Sequence, residues 1–245
     1  MSRPSLDVES ITVRYGGVVA LASVSVRVAP GSVVGLIGPN GAGKTTLINA
    51  ITGVVRPASG SISLGRRRID GLAPHLVARD GVARTYQNIR LFGALTVADN
   101  VRAGAYRRPG MLGDDAVRAL LSRALVDHDL RARAGTLPYG EQRRLEIARA
   151  LAGDPAVLLL DEPAAGMNPR ETGELRGLIR GIARTGRCVL LVEHDMSLVS
   201  AVCDRVTVLN FGEVIAEGTP AEVARDAAVI EAYLGTSEEP HAPIV

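Results

Sequence analysis

The sequence predicts an α/β fold, with a parallel sheet covered by helices on both faces, antiparallel strands at the N-terminus and an inserted helical subdomain. Three observations predict it. Apolar runs end at Gly38 and recur at 156–160 and 188–192, each followed by helical periodicity, and strands alternating with helices imply a parallel sheet. Residues 6–14, "LDVESITVR", alternate like a half-buried strand ahead of that pattern. From about 88 to 152 the strand signals fade and helical ones replace them. A length of 245 residues with 47% apolar content argues against disorder and suffices for one domain with a subdomain.

Taken in order, "LASVSVRVAPGSVVGLIG" reads as a strand, a Pro-Gly turn and a buried strand ending at Gly38. Helical pattern starts at Lys44 and stops at Gly53, a C-terminal glycine. "GSISLGRRRIDG" reads as a hairpin turning at Gly65. "TVADNVRAGA", "DDAVRALLSRALVDHD" and "GEQRRLEIARALAGD" read as the helices of the insertion. "DRVTVLNFGEVIAEGTP" is a last hairpin around Gly212, and "GTPAEV" opens a helix with Pro at its first position after a Thr cap. The expected division is one domain over 1–235, with a core of about 1–87 and 154–235, a helical subdomain of about 88–153 and a flexible tail, 236–245.

Composition narrows the partners. A formal charge of +2 is too small to imply nucleic acid, and Arg84 to Arg90 read as a solvated arginine-rich face, so no nucleic-acid partner is expected. Cys188 and Cys203 sit in apolar contexts and read as buried reduced thiols. The N-terminal "MSRPSLDVESITV" has no apolar core of a secretory signal. Runs such as "AVLLLDE" fall far short of the roughly 20 residues that span a bilayer, so any membrane-spanning part must come from another subunit.

The chain holds 28 basic residues, and one of them, Lys44, is lysine. It lies in "GPNGAGKT", residues 38–45, which matches G-x-x-x-x-G-K-[ST] between an apolar run and a helical one. That is the context a P-loop requires. Gly38, Pro39, Asn40, Gly41, Ala42, Gly43, Lys44, Thr45 and Thr46 form the expected phosphate cradle. Glycines let backbone N–H groups turn toward an anion, and the helix that follows points its positive end at the same place. Lys44 supplies a compact charge that reaches the β- and γ-phosphates, where arginine's planar fork would crowd a tight loop. Thr45 is placed to ligate Mg²⁺. "AVLLLDEP", residues 156–163, is an apolar run ending in two carboxylates. Asp161 is the expected Mg²⁺ ligand, directly or through water, and Glu162 the group that orients and deprotonates a water attacking the γ-phosphate.

With these motifs the sequence resembles the nucleotide-binding subunit of an ABC transporter over roughly residues 6–235, six motifs falling in the family's order. The resemblance implies ATP and Mg²⁺ as ligands and further roles. Tyr15 matches the aromatic that stacks on adenine. Gln87, in "RTYQNIRLF", matches the glutamine that senses Mg²⁺ and the attacking water and links to the membrane subunits. "LPYGEQRR" matches the signature that contacts nucleotide held by a second ATPase subunit, through Pro138, Tyr139, Gly140 and Glu141. His194 matches the histidine that contacts the γ-phosphate. His75, His128 and His241 match nothing and read as surface residues.

Two departures stand out. Pro138 replaces the signature serine and has no hydroxyl for the opposite nucleotide. Asn168 stands where the family carries aspartate, keeping the hydrogen-bonding shape and losing the charge. Neither touches Lys44, Thr45, Asp161 or Glu162, so hydrolysis is expected; a weakly hydrolysing, nucleotide-dependent clamp is the reading Pro138 favours. "LPYGEQRRLEIARAL", "DEPAAGMNP", "EHDM" and "VIEAYLG" together resemble the ATPases of branched-chain amino acid importers. ATPases of urea or amide importers share most of these motifs, and those of lipopolysaccharide export share the Tyr-Gly signature. The resemblance implies integral membrane permease subunits, an indirect extracytoplasmic solute-binding protein, and a peripheral place on the cytoplasmic face of the inner membrane. Homodimer and heterodimer both remain open.

Overall fold

Leu6–Tyr15 (β1) and Val18–Val28 (β2) pair antiparallel, with Tyr15 opposite Val18 across a Gly-Gly turn. After Val33–Ile37 (β3) and helix Lys44–Ile51 (α1), strands Ser59–Leu64 (β4) and Arg67–Arg68 (β5) extend the first sheet in the order β2-β1-β4-β5. The structure is a computed structural model that describes residues 3–107 and 110–234. The tail 236–245 and His241 lie outside the described residues.

A short helix, Pro74–Asp80 (α2), leads to Val82–Arg84 (β6), and neither had a recognisable sequence pattern because both are so short. Between β6 and Val157–Asp161 (β7) run the helices Val97–Ala103 (α3), Asp114–Arg123 (α4) and Tyr139–Ala152 (α5). The helix read over 114–129 stops at Arg123, where Leu125 takes a left-handed φ of 56°. Pro169–Arg184 (α6), Cys188–Val192 (β8), Met196–Val202 (α7), Arg205–Asn210 (β9), Glu213–Gly218 (β10), Pro220–Val223 (α8) and Ala227–Leu234 (α9) complete the described chain. The second sheet has the order β10-β9-β3-β8-β7-β6, parallel except for β10 at the edge.

The two faces of this sheet are covered differently. Val189 and Leu191 of β8 and Leu158 and Leu160 of β7 share a buried cluster with residues of α3 to α7. Leu190 and Leu159, on the other face, share one with α1 and the antiparallel strands. Helices therefore cover both faces as expected, α3 to α7 on one and α1 and α2 on the other, where the first sheet packs beside them. The insertion α3–α5 has no separate core, since Val97, Val101 and Leu121 bury against the same cluster as the sheet.

Local signals set the helix ends. At α1, Gly53 takes φ 74°, its N–H donates to Ala50 O and that of Val54 to Asn49 O, closing the helix as a Schellman motif. At α6, Asn168 accepts from the Glu171 N–H at 3.0 Å while its own N–H donates to the Glu171 carboxylate at 2.9 Å, with Pro169 at the first helical position. This capping box explains the departure at 168: a neutral amide does the capping that an aspartate would do. Asn168→Ala should lower stability by about 1 kcal/mol, read as a fall of about 2–4 °C in Tm, while Asn168→Asp leaves Tm near wild type. An unchanged melting curve for the alanine variant would show the cap to be energetically idle.

Burial pushes the thiols of Cys188 and Cys203 up to about 11 and about 12, which keeps both protonated at neutral pH, in line with buried reduced cysteines.

Candidate active site

In a parallel sheet the C-terminal strand ends open on one crevice. Here four neighbouring strands, β3, β8, β7 and β6, each deliver one part of the site at that end. β3 leads into the glycine loop, β8 into His194, β7 into Asp161 and Glu162, and β6 into Gln87.

Two of the loop's glycines, Gly38 and Gly43, sit where packing leaves no room for a side chain. A Cβ on Gly38 would lie 2.1 Å from Leu209 O, and one on Gly43, at φ 106°, 2.7 Å from Leu21 Cδ2. The ladder of α1 begins with the Leu47 N–H donating to Gly43 O at 2.9 Å. The N–H groups of Lys44, Thr45 and Thr46 precede it and have no partner within the helix. No side chain caps this end, so these donors and the helix dipole are left to an anion. Lys44 Nζ donates to Gly38 O at 2.6 Å and Pro39 O at 2.9 Å. Burial pulls its pKa below the usual lysine value, opposed by the charges of Glu162 and Asp161.

Glu162 sits at φ 45°, a left-handed conformation that a non-glycine residue adopts at a cost of about 1–3 kcal/mol. Its N–H donates to Val192 O at 2.9 Å, fixing it beside the end of β8. Gln87 Nε2 donates to Glu162 Oε2 at 2.8 Å, and His194 Nδ1 lies 3.8 Å from the same oxygen. The His194 side chain is 65% exposed and faces solvent on its far side. Asn40 to Thr46, Gln87 and Glu162 line one cavity of about 570 Å³, a size that suits a small-molecule ligand.

Asp161 is committed elsewhere. Its Oδ2 accepts from Arg84 Nη2 at 2.8 Å, while Arg84 Nη1 donates to Asn49 Oδ1. The solvated arginine face expected at 84–90 is thus corrected at Arg84, which is largely buried and stacks on Tyr86, the ring that Arg90 also approaches to 4.5 Å. The donor set still fits a hard cation: Thr45 and Gln87 share the cavity and offer oxygens, and Asp161 adds a carboxylate next to it.

Tyr15 is 49% exposed and does not line the cavity; Val18, Val19, Ala20 and Phe211 do. Pro138, Tyr139, Gly140 and Glu141 stand apart from it too, at the start of α5. Gly140 packs so closely on Glu171 that a Cβ would meet its Oε1 at 2.3 Å, and a Cβ on Gly166 would meet Tyr139 Cε1 at 3.0 Å. His128 lies at the surface as expected, with its Nε2 2.8 Å from Glu141 Oε2.

Sequence reasoning missed the residue that joins these two regions. Arg143 of α5 is fully buried and donates to Tyr86 O and Gln87 O, both at 2.5 Å. It pairs with buried Glu146 at 3.2 Å, whose other oxygen accepts from the Arg90 N–H. Burial raises the pKa of Glu146, opposed by that N–H and by Arg143 and Arg149. The signature helix therefore grips the backbone carrying Gln87. An arginine directly after "GEQ" gives no local sign of this.

The family model for ABC transporters matches residues 21–165, and one for branched-chain amino acid ATP-binding cassette transporters matches 213–239. The chain belongs to the ABC transporter family. The ATP-binding cassettes of this family bind nucleotide, hydrolyse ATP and work as dimers with membrane permease subunits. The chain is 42% identical, over 96% of its length and 99% of the relative's, to the high-affinity branched-chain amino acid transport ATP-binding protein BraF of Pseudomonas aeruginosa. It is 40% identical, over 94% and 96%, to the lipopolysaccharide export system ATP-binding protein LptB of Acidithiobacillus ferridurans. Among solved structures, the ADP conformation of MJ1267, an ATP-binding cassette of an ABC transporter, superposes with a TM-score of 0.85 at 29% identity, covering 96% of this chain and all of that one. The P-loop ATPase fold with its antiparallel strands and helical insertion is thereby established. Among the described residues no helix is long and apolar enough to cross a membrane, as suits a subunit peripheral to it.

Proposed function

We propose that this ABC ATPase drives an importer of branched-chain amino acids from the cytoplasmic face of the inner membrane, with an extracytoplasmic solute-binding protein delivering the solute. The match of 213–239 to the branched-chain transporter model favours this substrate over lipopolysaccharide, which the LptB relative serves. The single observation behind the chemistry is the Gln87–Glu162 hydrogen bond inside the phosphate-loop cavity.

The α1 N–H groups and Lys44 bind the β- and γ-phosphates. Thr45, Gln87 and Asp161, the last directly or through water, would hold Mg²⁺, and the ion would supply positive charge to the phosphate oxygens. Glu162 accepts a proton from the water whose oxygen attacks the γ-phosphorus, and the bond to the bridging oxygen breaks to release ADP. Gln87 and His194 hold Glu162 and that water in line. The adenine contact falls to Tyr15, which must be met by the base beyond the present lining. Residues 138–141 serve the nucleotide of a second cassette, Gly140 and the α5 N-terminus offering backbone donors in place of the missing hydroxyl.

The helical insertion, 88–153, acts as the moving subdomain. Arg143 supports this coupling, since a shift of α5 pulls on the Gln87 backbone. A groove of about 610 Å³ beside it, lined by Tyr86, Phe92 and Tyr106, offers the permease an aromatic seat. The decisive experiment is solute uptake by proteoliposomes holding the complex purified from native membranes, with its solute-binding protein. ATP-dependent uptake of leucine, isoleucine and valine is expected. Uptake of urea alone, or co-purification with lipopolysaccharide-export permeases, would overturn the substrate assignment.

A further inference from the structure

The turn between β9 and β10 is built against local preference. Phe211 and Gly212 are its two central residues, at φ 45° and 82°, between the paired Asn210 and Glu213. Positive φ at both positions is the geometry of a type I′ turn, which favours Asn-Gly and disfavours a bulky aromatic. Phe211 is one of two phenylalanines in the chain, and its side chain is 84% exposed. Neither turn geometry nor burial accounts for it.

Its surroundings do. Gly212 N–H donates to Ala42 O of the phosphate loop at 3.0 Å, and its carbonyl accepts from the Ala22 N–H at 2.8 Å. A Cβ on Gly212 would come within 2.6 Å of Ala20 O. The turn is wedged between β2 and the loop, and this holds Phe211 at the rim of the nucleotide cavity. There it joins Val18 and Val19, two further exposed apolar side chains, in a lining otherwise dominated by the phosphate loop, Gln87 and Glu162. The polar part suits phosphate and water. The apolar part suits the nucleoside.

We propose that Phe211, with Val18 and Val19, forms a wall against the ribose and base of bound ATP, an aromatic contact separate from Tyr15. The inference rests on reading the cavity as the nucleotide site. Base–aromatic contact is tolerant of base identity because every base presents a π-face, so the wall sets affinity for nucleosides over bare phosphates.

Titration calorimetry on the full chain tests this with two probes, ATP and inorganic tripolyphosphate. F211A should raise the Kd for ATP about tenfold and leave that for tripolyphosphate unchanged. F211N should show the same loss with a Tm raised by about 2–4 °C, since it restores the preferred turn pair. F211Y should bind like wild type. Wild-type ATP affinity in both F211A and F211N would overturn the proposal. So would unchanged affinity with lost ATP-driven dimerisation, which would assign the ring to the second cassette. Wild-type protein that binds neither probe would overturn the nucleotide reading itself.

Discussion

Lys44→Arg lowers ATP binding and turnover together by about a hundredfold or more, although the charge is conserved. The reason is space. Lys44 Nζ is folded against two carbonyls of its own loop, at 2.6 and 2.9 Å. That loop is closed by Leu21 against Gly43 and by Leu209 against Gly38. A phosphate must take the ammonium away from those carbonyls, which a compact group on a flexible stem permits. A planar guanidinium is wider, holds its donors in a fixed fork and has nowhere to retract. Burial already disfavours charge at this position, and Glu162 and Asp161 offset it. A misplaced guanidinium would pair with those carboxylates instead of phosphate. Fluorescent-nucleotide binding and phosphate release check the outcome. Full activity would mean that charge alone is required there, and the single lysine among 28 basic residues would be a coincidence.

Glu162→Gln separates binding from chemistry. Turnover should fall by about 10²–10⁴-fold, the usual contribution of a general base, while ATP still binds and accumulates a cassette dimer visible by size exclusion. A glutamine can still accept from Gln87 Nε2 and keep the N–H bond to Val192 O. What it lacks is the ability to take a proton. The strained backbone at 162 is retained with the side chain's shape, so the fold should be undisturbed. Turnover at the wild-type rate would transfer the base role elsewhere, with His194, 3.8 Å from the same oxygen, the next group to replace.

Much of this site was legible because its parts are local. The phosphate loop needs glycines, a lysine and a helix start within eight residues, and "GPNGAGKT" contains all of them. A buried strand ending in two acids is equally visible. The resemblance then added Gln87 and His194, whose own neighbourhoods say little. Arg84, Arg143, His128 and Phe211 were not legible. The first three owe their contacts to partners 13 or more positions away, as Arg84 to Asp161 and Arg143 to the backbone at 87, and Phe211 reaches the cavity rim only through the packing of its turn. An arginine's sequence neighbours do not reveal whether its guanidinium ends in water or on a buried carboxylate.

By itself the sequence determined the strand–helix alternation, the insertion and the identity of the groups that handle phosphate, since turn chemistry and hydrophobic period are set by adjacent residues. Only the tertiary structure decided which of them meet. The order β3-β8-β7-β6 places chain-distant strand ends side by side, held between α3 to α7 on one face and α1, α2 and the first sheet on the other. The same packing ties Asp161 to Arg84, fastens the signature helix to Gln87 and turns an exposed phenylalanine toward the nucleotide cavity.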